Sequence, residues 1–334
     1  MMGRSLKVAF FLAKRAVGRG HIRVSILSIS VLVLVYINIA LGPAMIDGLV
    51  DLINDKVRST LIGDIVVQPD AGEGFIPDAD TLAAQIEAID GVEAAVPLNM
   101  VGYQIRYEGR QFTSSLTAAD PTDYETVFTT SEYMIEGSFL DPDDTDQIVL
   151  GLNVAGADRE FDASWASLRS VNAGDKVLVV FTDGVEKEYT VKGVFRTEMP
   201  YSDIKAFITS RELSLVSPEV GDSATHLCVR TENGRELGPI IGEIQALREG
   251  LSVGTWEEAA GMIKVSVESV KSIYVIIEAI ALVVAGLTVA MVTYIDLANR
   301  RKQIGIQRAI GITKQTIILT YAFRAFFLFA VGTT

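Results

Sequence analysis

Side chains suited to covalent or metal chemistry are scarce here. His21, His226 and Cys228 are the only imidazoles and the only thiol in 334 residues. His226 and Cys228 stand two apart, on one face of a strand, but two ligands are too few for a closed zinc site. A half-buried strand is the simpler account of them. A His-based triad would depend on His226, and no G-x-S-x-G turn accompanies it. The acids of DPDDTD, Asp141 to Asp146, lack the spacing of an EF-hand loop and read as a solvated loop. No G-x-x-x-x-G-K-[ST] occurs, so the chain does not hydrolyse ATP by that route. No cofactor is implied. A single cysteine allows no intramolecular disulfide, and a net charge of −13 argues against nucleic-acid binding.

What remains is a cluster of cations. Arg300, Arg301, Lys302, Arg308 and Lys314 follow one apolar run, Ile273 to Leu297, and precede another beginning at Thr316, with no acid among them. The first of these runs exceeds the roughly 20 residues needed to cross a hydrocarbon core. A third apolar run, Val24 to Ile46, carries no charged side chain and has six Lys or Arg ahead of it. It is too long for a signal-peptide core, so an uncleaved anchor is expected. All but two of the 42 acids, Glu278 and Asp296, lie between Asp47 and Lys271. Charge is therefore sorted along the chain, and the positive-inside rule gives one topology. Residues 1–23 are a cytoplasmic amphipathic segment and 24–46 the first span. Residues 47–272 are extracytoplasmic, 273–297 the second span, 298–315 a cytoplasmic connector and 316–334 a third span. The setting is a cell or inner membrane.

Asn38, Glu278 and Arg324 are polar residues inside the apolar runs that need an account. Asn38 reads as a helix-to-helix hydrogen bond. Glu278 lies near the outer edge and reaches the headgroup region, and Arg324 requires a partner or water. Pro43 is expected to bend or end the first span. Within the connector, Ile306 and Ile310 at i, i+4 form an apolar ridge suited to a partner's groove, with Arg301, Lys302 and Arg308 to steer an acidic patch.

The stretch RRKQIGIQRAIGITKQTI, directly after a span, resembles the cytoplasmic signature of FtsX-like ABC permeases of the MacB and LolC/LolE type. Arg301, Ile304, Gly305, Arg308, Ala309, Gly311 and Ile317 fall on that family's pattern. LAKRAVGRGHIRVSILSISVLVL resembles the family's entry into its first span. IDGVEAAVP, EGSFLDPDDTDQIVLG and the pair GDKVLVVF with YTVKGVF resemble landmarks of the MacB-type periplasmic domain. The resemblance implies a non-catalytic permease subunit, coupled by its connector to a separate cytoplasmic ABC ATPase that uses the ATP. It also implies a second permease copy, contact with membrane lipids, and motion transmitted to the extracytoplasmic domain. A lipoprotein, lipid, peptide or drug is the implied cargo. The family usually has four spans, and only three are expected in this sequence. The alternative is a membrane-anchored regulator whose outer domain controls a surface partner such as a cell-wall hydrolase.

The region 47–272 reads as mixed α and β, an α+β domain inserted between spans one and two. Asp47 to Leu61 has helical apolar spacing that continues the first span as a stalk. Ile62–Gln68, Val101–Tyr107, Gln111–Leu116 and Ala224–Arg230 read as strands, and Thr81–Ile89 and Glu236–Arg248 as helices. Asp183-Gly184, between Lys176–Phe181 and Val185–Phe195, is the clearest hairpin signal. Strands from distant parts of the segment are expected to share one sheet.

Overall fold

A computed structural model describes residues 11, 22–70, 74–156, 167–299, 301–321 and 323. The chain divides into two compact units, Asp51–Lys264 and a second built from Met1–Val50 with Val265–Thr334.

The Asp51–Lys264 unit is α+β. Its centre is β3 (Val92–Tyr107), a strand of 16 residues that serves two sheets in succession. The first half of β3 pairs antiparallel with β11 (His226–Thr231), which pairs with β1 (Ile65–Pro69), which pairs with β12 (Leu251–Thr255). The second half pairs with β4 (Arg110–Ala119) and β7 (Lys176–Phe181). From there the order runs through β9 (Ala206–Thr209), β6 (Gln147–Gly151) and β8 (Glu186–Phe195). Because β7 pairs with both β3 and β8, these six strands close a ring. Closure removes free edges and encloses a core.

Burial along β3 records the change of sheet. Ala94, Ala95 and Val96 are buried in a row because both faces of that half are covered. Ala95 packs with Leu82 and Ile86 of α2 (Ala79–Glu87) and with Ile240 and Ile244 of α7 (Leu237–Leu247). Ala94 and Val96 face an aromatic group around Tyr124 of α3 (Pro121–Val127), Phe128, Phe139 and Phe207. Tyr124 stacks on Phe128 at 4.6 Å and meets Phe207 edge-on at 5.2 Å. Beyond Gly102 the pattern alternates, with Tyr103 and Ile105 directed into the ring beside Leu116, Val179 and Val191.

Turn chemistry fixes the registers. Glu108 and Gly109 both take positive φ, 47° and 79°, as a two-residue hairpin turn between β3 and β4 requires. Gly184 at φ 89° turns β7 into β8. The acids 141–146 form the largely exposed loop expected of them, with Asp144 half-buried, and their side chains also find cationic partners. Asp141 and Asp144 both pair with Lys192, Asp146 with Lys187 at 2.7 Å, and Asp143 with Arg211 at 2.5 Å. Basic residues from β8 and from the helix Ser210–Val216 meet them, which sequence spacing does not reveal.

Two long helices complete the description. α1 (Ile22–Val57) continues unbroken through Pro43, so that proline does not end the helix as one sequence expectation had it. The missing Pro43 N–H leaves one helical bond unmade without stopping propagation. A five-residue π-turn, Arg58–Ile62, closes this helix. The other helix runs Gly261–Asn299 and follows α8 (Trp256–Ala259); it is α9. At 1.5 Å per residue, α1 extends about 54 Å and α9 about 58 Å, each well beyond a hydrocarbon thickness of about 30 Å. Among the described residues, one stretch, Ile263–Thr288, is long and apolar enough to cross a membrane.

Candidate coupling segment

Helix α10 (Arg301–Ala309) carries the cationic cluster. Arg301, Lys302 and Arg308 are exposed, and Ile304 is half-buried. Ile306 and Ile310 are 62% and 77% exposed, so the apolar ridge has little cover among the described residues. Gly305 lies beside it in open space, with nothing within 4 Å of where a Cβ would stand. Its helical backbone does not require glycine. A glycine there costs a helix about 1 kcal/mol relative to alanine and leaves a gap on the exposed face.

The end of α10 is closed by backbone geometry. The Ile312 amide donates to the Gln307 carbonyl at 3.1 Å, and the Gly311 amide donates to Arg308 at 3.0 Å. With Gly311 at φ 96°, this is a Schellman closure. Thr313 then opens the next helical stretch, 314–321. Its hydroxyl accepts from the Thr316 amide at 3.4 Å and lies 2.9 Å from the Thr316 hydroxyl. A stop and a start separated by two residues fix the direction of the chain on both sides. Ala309 closes α10 and is exposed. Arg300 and Arg324 lie outside the described residues.

The remaining polar candidates sit on the long helices. Asn38 falls within α1, one turn from Gly42. A Cβ at Gly42 would stand 1.6 Å from the Tyr274 hydroxyl, so the helices approach closely there. Glu278 lies one turn beyond Tyr274 on α9 and is partly covered.

In the β-rich unit, His226 and Cys228 have separate surroundings. The His226 Nδ1 is 2.9 Å from the Thr225 hydroxyl, and burial pulls the imidazole down to about 4. Cys228 sits in the apolar cluster with Phe195 and Phe207, and burial pushes its thiol up to about 12. A cleft of about 370 Å³ is lined by Asp80, Asp120, Asp123, Asp222 and Arg211 among others. These acids have local duties: Asp120 caps α3 through the Thr122 amide at 2.8 Å, and Asp222 accepts from the Asp80 amide at 3.3 Å. Burial, then the neighbouring Asp222, raises the Asp80 carboxyl above its ordinary value.

Sequence reasoning overlooked the root of this unit. There Arg58 pairs with the buried Asp64, and Lys205 donates to the Leu61 carbonyl at 3.1 Å. The available signal was Lys205 itself, a cation directly before the continuously buried β9.

Residues 275–334 match the family of FtsX-like permease C-terminal domains. An uncharacterized ABC transporter permease of Methanocaldococcus jannaschii is 25% identical over 297 residues, covering 85% of this chain and 71% of that protein. Among solved structures, the periplasmic region of MacB from Actinobacillus actinomycetemcomitans aligns at 12% identity. It covers 61% of this chain and 94% of that one, with a TM-score of 0.43. The extracellular domain of the noncanonic ABC-type transporter YknZ from Gram-positive bacteria aligns at 13% identity, covering 57% and 98%, with a TM-score of 0.41.

Proposed function

From the match of residues 275–334 to the FtsX-like permease C-terminal family, we propose that this chain is the permease subunit of an ABC transporter. A separate cytoplasmic ATPase binds and hydrolyses ATP, and this chain carries no catalytic group for that step. The chain sits in the cell membrane, with spans at 24–46, 273–297 and 316–334. Residues 1–23 and 298–315 face the cytoplasm, and 47–272 lie outside.

The observation that carries this reading is the uncovered Ile306 and Ile310 ridge on α10, flanked by Arg301, Lys302 and Arg308 within the family-matched segment. An amphipathic helix with i, i+4 apolar anchors is the shape that fills a partner's groove, and its cations steer an acidic rim. Closure of an ATPase dimer then displaces α10, and the rigid turn at Gly311 passes that displacement into the helical stretches on either side. α9 carries it outward, since its length exceeds any membrane thickness. Two permease copies, one for each ATPase, complete the transporter. The cargo is a lipoprotein, lipid, peptide or drug.

Affinity purification of the full-length chain from gently solubilised membranes tests this. A stoichiometric partner containing a P-loop supports the reading. Its absence, with lipid and a second permease copy retained, refutes it.

A further inference from the structure

The end of α1 departs from the α-helical hydrogen-bond pattern. The Gly63 amide donates to the Arg58 carbonyl at 3.0 Å, five residues back, and Gly63 leaves the turn at φ 80°. A π-turn holds one residue more than an α-turn; it is rare inside helices, where it is frequent at functional sites, and it also occurs at helix C-termini, as here. It persists where surrounding groups hold its carbonyls.

Three donors do so here. The Ser59 carbonyl accepts from the Thr129 amide at 2.9 Å. The Thr60 carbonyl accepts from the Ser202 hydroxyl at 3.3 Å, and the Leu61 carbonyl from Lys205 Nζ at 3.1 Å. Thr129 follows α3, Ser202 lies in α5 (Pro200–Asp203), and Lys205 precedes β9. Two separate segments, one following α3 and one running from α5 into β9, therefore grip three consecutive carbonyls. Below them, Asp64 links the turn to two more segments. One carboxylate oxygen pairs with Arg58, the other accepts from the Thr231 amide at 2.8 Å, and the Asp64 carbonyl accepts from the Trp256 amide at 3.0 Å.

Lys205 is the member that stability alone does not account for. Among the described residues it forms no ion pair, and burial pulls its ammonium down to about 8. The titratable groups facing it are Cys228 and His226 of β11. A half-buried cation without a carboxylate is a poor way to hold a fold, because no opposite charge offsets its partial desolvation. As the donor to a helix-terminal carbonyl it has a specific use, because the C-terminal end of a helix attracts a cation.

We propose that the π-turn Arg58–Ile62 is a register joint, clamped by Thr129, Ser202 and Lys205 and released during the working cycle. On release the turn relaxes to α-helical pairing. The chain beyond it then shifts by one residue, a rise of about 1.5 Å and a rotation of about 100°. The inference rests on the permease reading for the force that opens the clamp, while the clamp itself is independent of it.

Hydrogen exchange on the full-length protein in lipid nanodiscs tests both parts. Without any partner, Lys205→Met should raise exchange of the amides from Arg58 to Asp64 by about tenfold and leave the β7–β8 hairpin unchanged. Lys205→Arg should stay within about twofold of wild type, and Ser202→Ala should show a smaller rise confined to the same amides. Unchanged exchange in Lys205→Met, or a rise throughout the β-rich unit, overturns the clamp. In the second arm, wild type with its co-purified ATPase trapped by a non-hydrolysable nucleotide should show the rise at Arg58–Asp64. No rise there overturns release during the cycle. Failure to recover any ATPase refutes the permease reading instead, and the partner-free arm still decides the clamp.

Discussion

The Ile312 amide and the Gln307 carbonyl, 3.1 Å apart, lock the end of α10 around Gly311. Gly311 stands at φ 96°, where a side chain is strained. Gly311→Ala should cost about 1–2 kcal/mol of local order. Limited trypsin digestion reads this directly, because Arg308 and Lys314 flank the turn. Cleavage at those two sites should quicken severalfold while cleavage in the β-rich unit stays constant.

Gly305 should behave in the opposite way. Open space surrounds its missing Cβ, so Gly305→Ala should stabilise α10 by about 0.5–1 kcal/mol and raise rather than lower resistance to the same protease. Gly305→Leu places a larger side chain in the gap beside Ile306. Normal insertion with about tenfold weaker retention of the ATPase is the expected outcome. Undiminished retention would remove Gly305 from the docking face.

Asp64 ties the π-turn to β11 and α8. Asp64→Ala should cost about 3 kcal/mol, because the Thr231 amide loses a buried acceptor and Arg58 loses its partner. Asp64→Asn keeps one acceptor and should cost less. Thermal unfolding of the full-length protein in detergent ranks the two.

His226 provides a pH signature. Unfolded, its imidazole takes a proton near 6.5, whereas burial in the fold delays this to about 4. The unfolded chain thus binds more protons between those values, and the imidazole's share of stability is intact above pH 6.5 and lost as pH falls toward 4. His226→Gln should flatten the decline between pH 6.5 and 4, by at most about 3 kcal/mol. An unchanged pH profile would mean the ring is hydrated in solution.

Cys228 should be inert in the native protein. Its thiol is buried and pushed up to about 12, so little thiolate forms at pH 8. Maleimide labelling followed by mass spectrometry should give no adduct until denaturant is added, then one.

Local signals in the sequence were legible where the chain makes its own structure. Asp183-Gly184 marked its hairpin because a positive φ at Gly184 leaves few choices of residue. Ile306 and Ile310 were readable as a ridge from spacing alone, and they are exposed together. The ring closed by β7 on β3 was hidden, because it depends on pairing between strands about 75 residues apart. The start of β1 at Ile65 was misjudged as Ile62, an apolar residue that belongs to the π-turn. That turn is held by Thr129, Ser202 and Lys205, residues far away in the chain, so nothing within Arg58–Ile62 announces it.

The most direct measurement is site-specific photo-crosslinking from position 306 or 310 in membranes, with the full-length protein carrying a photoreactive residue at one or the other. Docking of α10 into the ATPase predicts a covalent adduct with a P-loop chain from both positions, greatly reduced by Arg308→Glu. Adducts with lipid alone, or none, from both positions would contradict a coupling role for this helix.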